Sequence, residues 1–86
     1  MTMQELMALA EQCLRIIESH DADVAEGARD ALNAGEPECA IADSLSVACR
    51  FPELFREFPI SVYQLAKDPT YTAIHRYLDL LEKHRQ

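Results

Sequence analysis

The sequence predicts an all-α protein: a small single-domain bundle of four to five helices around a central helix at about residues 37–51. Three observations carry this. Apolar residues recur at three- and four-residue spacing along most of the chain. Strand signals are absent. Between Gly35 and Pro52 lies a helix that is apolar on several sides. Gly35 can take the left-handed conformation that ends one helix, Pro37 is preset for the first turn of the next, and Pro52 forces Phe51 out of the helical region. Ile41, Leu45 and Ala48 mark one face of this helix, and Ala40, Val47 and Cys39 mark others. A short helix apolar on several sides belongs at the centre of a bundle.

The first helix begins at Thr2, where Thr2-Met3-Gln4-Glu5 fits a capping box. Leu6, Ala10, Cys13, Leu14 and Ile17 follow at helical spacing, with Leu9 and Ile16 widening the stripe. Ser19-His20-Asp21 reads as a turn. Asp23 with Glu26 is a second capping signature. Val24, Ala28, Ala31 and Leu32 supply the apolar side of the second helix, which Asn33-Ala34-Gly35 closes. Because many contact residues are Ala, the second and third helices can approach closely. Gly35, Ala40, Ile41 and Pro52 also have the spacing of one tetratricopeptide unit. No second copy occurs at a shift of about 34 residues, so a Gly-capped helical hairpin is the better reading.

After the third helix, Pro52 and Pro59 allow at most a turn or two of helix. Phe51, Leu54, Phe55 and Phe58 make this stretch too apolar for a plain linker, so it is expected to fold back over the core. Ser61-Val62-Tyr63-Gln64 is another capping box, opening a short helix through Lys67. Asp68-Pro69 then predicts a last helix from Pro69 to about His84, with Tyr71, Ile74, Leu78 and Leu81 along one face and an Asp79–Lys83 pair supporting it.

The 86 residues make one domain with a modest core. No apolar run approaches the roughly 18 residues of a membrane helix. The N-terminus lacks a basic start, and Glu5 and Glu11 interrupt its apolar residues, so a cytosolic location is expected. Cys13, Cys39 and Cys49 lie on apolar helical stretches and read as reduced, buried thiols. The net charge is −7. Nearly all of the excess falls within residues 21–43, where Asp21, Asp23, Glu26, Asp30, Glu36, Glu38 and Asp43 face one base, Arg29. Such a surface repels phosphate, disfavouring nucleic acid and anionic membranes. It attracts a basic protein and speeds the encounter. A solvated acidic face is the competing reading.

Catalytic signals are weak. His75 and Asp79 stand four apart on a predicted helix, but no HExxH and no paired CxxC accompanies them. Cys49 has Arg50 beside it, yet adjacent helical residues point apart. With glycine only at Gly27 and Gly35, no phosphate-cradling loop exists. Glu36 and Glu38 lie near a helix start, where acids favour the dipole. No enzyme activity, cofactor or metal is expected. Binding remains, through the acidic run or through the side of the third helix that carries Cys39, Asp43, Ser46, Val47 and Arg50.

The run Ala34-Gly35-Glu36-Pro37-Glu38-Cys39-Ala40-Ile41, followed by Leu45 and then by Phe58-Pro59-Ile60-Ser61 opening a later helix, resembles small acidic helical immunity proteins of bacterial toxin systems. These are the MafI-like and contact-dependent growth inhibition immunity proteins. The likeness covers roughly residues 31–81. It implies a bacterial cytosolic protein that binds one cognate toxin domain, often a nuclease, and blocks its active site or its access to substrate. It brings no catalytic residues. Asp21, Asp23, Glu26, Asp30, Glu36, Glu38 and Asp43 are then the candidate partner-binding residues, their carboxylates standing where phosphates would. The chain is expected to be a monomer. The alternative is a helical adapter or secretion chaperone that binds through the third helix and the Phe-rich segment. A homodimer through that segment is a further possibility.

Overall fold

A computed structural model describes residues 1–84. Helix α1 spans Met3–Ile17, α2 Ala22–Asn33 and α3 Pro37–Arg50. A 3₁₀ segment follows at Pro52–Glu57, then α4 at Ile60–Ala66, α5 at Thr72–His75 and α6 at Leu78–Lys83. Among the described residues there is no strand.

Local chemistry sets the ends of the first three helices. At α1, Thr2 Oγ1 accepts from the Glu5 N–H at 3.1 Å, and Glu5 Oε1 accepts from the Thr2 N–H at 2.7 Å, the reciprocal capping box. The cap of α2 is Asp21, not Asp23. Extended at Asp21, the chain aims Oδ1 at the Val24 N–H, 3.0 Å away. Asp23 lies within the first helical turn instead. The end of α2 is a Schellman motif: the Gly35 N–H donates to the Leu32 carbonyl and the Glu36 N–H to the Ala31 carbonyl. Gly35 has φ 77°, a conformation that glycine adopts without strain. Phe51, at φ −130° and ψ 74°, ends α3 ahead of Pro52.

Helix α3 is central: it packs most extensively on α1 and α2, and also meets α5 and the 3₁₀ segment. Ala40, Ile41, Leu45, Val47 and Ala48 are fully buried. Val47, expected on an outer face, is therefore a core residue, because neighbours cover α3 on more than one side. Ser44 is buried too, and its Oγ donates to the Ala40 carbonyl at 2.9 Å, so no polar group is orphaned there. Helix α1 contributes Leu6, Leu9, Ala10, Cys13, Leu14 and Ile17 to the same core. Helix α2 adds Ala25, Ala28 and Leu32. Only Cys13 of the three thiols is buried; Cys39 and Cys49 are exposed, on parts of α3 that the packing leaves open.

The Phe-rich stretch folds back as expected, burying Leu54, Phe55 and Phe58. Beyond it the sequence expectations fail in detail. Helix α4 starts at Ile60 without a side-chain cap, so Ser61 opens no capping box. The predicted helix from Pro69 is split into α5 and α6. Asp68 Oδ1 accepts from the Thr70 N–H at 2.9 Å and from Thr70 Oγ1 at 2.7 Å. That local bonding holds a turn in place of the first turn of a helix. Nothing in the local sequence marks the second break, at Tyr77. Asp79 and Lys83 form no ion pair. Ile74 and Leu81 are still buried, with Tyr71 and Leu78 half-buried beside them. Tyr63 Oη donates to Glu82 Oε2 at 2.7 Å, joining α4 to α6, and the His84 ring stacks on Phe55 with centroids 5.0 Å apart.

Candidate functional site

The acidic segment divides into groups with different surroundings. Asp23, Glu26 and Asp30 stand at i, i+3 and i+7 on α2, sharing a face opposite the buried Ala25, Ala28 and Leu32. All three are exposed. None is in an ion pair among the described residues. The one base of this segment, Arg29, points elsewhere: it grips Glu11 of α1 in a bidentate pair at 2.5 and 2.6 Å. This guanidinium holds the Glu11 carboxyl below its usual range. The α2 stripe is left as a row of carboxylates with no cation of its own.

Asp21 is already engaged. The Val24 amide and then the Arg50 guanidinium lower its pKa, and the Arg50 pair ties the start of α2 to the end of α3. Arg50, expected on a binding face of α3, is thus an internal brace. Glu36 is exposed in the α2–α3 turn. Glu38 is half-buried, and its Oε2 accepts from the Ala73 N–H of α5 at 3.3 Å. Asp43, in mid-α3, is also half-buried, and burial raises its pKa. Glu36, Glu38 and Asp43 gather around Cys39, whose thiol is pushed up by desolvation first and then by these carboxylates. The seven acids therefore do not form one patch. With α3 spanning about 20 Å, Asp21 at one end stands far from Glu36 and Glu38 at the other.

His75 and Asp79 do not pair. The Nδ1–H of His75 donates to the Ala66 carbonyl at 2.7 Å, and Asp79 belongs to a separate helix. Among the described residues no group of three or more His, Cys, Asp or Glu side chains is placed to hold a metal ion. No helix among them is long and apolar enough to cross a membrane.

Concavities mark the surface of the described residues. One of about 240 Å³ lies between the 3₁₀ segment, α4 and α6, and is lined by Phe55, Arg56, Ile60 and His84. A second, about 390 Å³, runs between α1 and α2 over Leu14 and Ala25, with Glu18, Glu26 and Arg29 at its edge. The third, about 330 Å³, joins the start of α1 to the α2–α3 turn and to Tyr71. Its lining includes Met3, Leu6, Pro37 and Cys39, with Glu36 and Glu38. The sequence reading missed this groove. Exposed Met3 was its one local hint, and nothing local connects Met3 to Tyr71.

Comparison of the chain with protein-family models, curated proteins and solved structures finds no match.

Proposed function

We propose that this chain is an immunity-type protein that binds and neutralises a basic toxin domain in the bacterial cytoplasm. The observation that supports the reading is the α2 stripe. Asp23, Glu26 and Asp30 project together from a helix whose opposite face is anchored in the core, and among the described residues no cation pairs with them. A fixed row of carboxylates steers a basic domain by long-range attraction and offers charge-assisted bonds to its Lys and Arg side chains. The same groups can occupy the places of substrate phosphates in a nuclease cleft. Val47 and Phe55, two residues that the adapter alternative would use, are buried.

The test is genetic and then kinetic. Each neighbouring reading frame of the native locus is expressed with and without this chain. Growth arrest by one neighbour, relieved by this chain, is the expected outcome; a locus with no toxic neighbour sinks the immunity reading. With the toxin domain in hand, reversing Asp23, Glu26 and Asp30 together to Lys should slow association by about tenfold or more at low salt and flatten its salt dependence. An association rate indifferent to both charge and salt would reject the stripe as the steering surface.

A further inference from the structure

We propose that the groove between the start of α1 and the α2–α3 turn receives one apolar side chain flanked by Lys or Arg from a basic partner protein. The proposal rests on the basic-partner reading above and assigns it a second contact, away from the α2 stripe.

The shape and the charge of the groove point to the same occupant. Leu6 and Pro37 are buried and Tyr71 is half-buried, forming an apolar lining, while Met3 rises beside them with 59% of its surface exposed. A volume of about 330 Å³ is near the lower end for ligand sites and suits one side chain better than an elongated ligand. Among the described residues of the lining, Glu36 and Glu38 are the charged ones, and no base accompanies them. The bond from the Ala73 N–H holds Glu38 Oε2 in place. Gly35 has open space where a Cβ would sit, so an incoming backbone can come close. The other two concavities lack this combination. Among the described residues, the Phe55 cavity is lined by Arg56 and His84 with no acid, and the α1–α2 groove has Arg29 at its edge. An apolar residue between two basic ones meets both demands of the third groove: its side chain leaves water, and its neighbours meet carboxylates.

Nuclear magnetic resonance on the isotope-labelled full chain tests this with three probes: acetyl-Arg-Leu-Arg-amide, acetyl-Glu-Leu-Glu-amide and acetyl-Arg-Gly-Arg-amide. The first should shift the amides of Gly35, Glu36, Cys39 and Tyr71 in a saturable way. The Gly-centred peptide should bind about tenfold more weakly, as losing one buried Leu side chain requires. The acidic peptide should leave these amides unmoved. Met3→Glu and Glu36→Lys alter exposed side chains and should keep the fold, as unchanged core resonances would verify. Glu36→Lys should weaken the first peptide severalfold. No saturable shift at the groove overturns the proposal. Shifts confined to Asp23, Glu26 and Asp30 overturn it while leaving the basic-partner reading standing. Equal response to the acidic peptide overturns the basic occupant and tells against that reading as well.

Discussion

Asp43 sits on α3 with part of its carboxyl withdrawn from water, and burial lifts its pKa above the ordinary 3.8. Because the folded value is the higher one, Asp43 favours folding most below pH 3.8 and loses that contribution as pH rises through its folded pKa. Glu11 and Asp21 act in the opposite sense. Arg29 holds the first low; the Val24 amide and Arg50 hold the second low. Their stabilisation is present above the ordinary carboxylate range and is lost on acidification. Asp43→Asn should therefore raise the melting temperature at neutral pH. Solvent screens a half-exposed group, so the gain is small, about 1–2 °C. The two melting curves should converge below pH 3.8. A gap that persists in acid would mean that Asn acts through packing rather than charge. The Ser46 Oγ bond goes to the Asp43 backbone carbonyl, so the substitution leaves it in place.

At the scale of the element, the two glycines of α2 and its end make opposite predictions. Gly27 lies inside the helix with no atom within 4 Å of an added Cβ. Gly27→Ala should stabilise the fold by about 0.5–1 kcal/mol, since Ala loses less backbone freedom on becoming helical. Gly35 has equally open space but φ 77°. Gly35→Ala should cost about 1–2 kcal/mol, because a Cβ in the left-handed region meets its own backbone. Denaturant unfolding of the two variants measures both. Opposite signs are expected, and a destabilising Gly27→Ala would show that the outer face of α2 is less open than its surroundings indicate. The outcome also bears on function, since α2 carries the acidic stripe and Gly35 sets the turn on which Glu36 sits.

At the scale of the molecule, the Cα atoms span 31 × 28 × 17 Å, about two helix layers in the thin direction. A slab of this kind has little interior, and each large apolar side chain holds much of it together. Phe55 is 5% exposed, tilts against Phe58 and stacks on His84, so it anchors the 3₁₀ segment under α6. Phe55→Ala should lower stability by about 3–5 kcal/mol, a large share of the 5–15 kcal/mol typical of a folded domain. Urea unfolding with the helical signal as readout would show it. Little change would mean that the C-terminal half is held by other contacts.

Local bonding and periodicity were legible in the sequence because they act between residues a few positions apart. The Thr2–Glu5 box, the Gly35 closure, the Pro52 stop and the apolar stripe of α1 all depend on near neighbours, and all stand where the residues predict. The existence of a central third helix was legible too, since its apolar residues go most of the way round. Only the tertiary structure decided which sides of that helix are covered, and so it buried Val47 and exposed Cys39 and Cys49. It also tied Asp21 and Arg50 to each other, divided the seven acids between separate surroundings, and brought Met3 to Tyr71. Those outcomes depend on which helices pack together, a competition between distant surfaces that no short window of residues encodes.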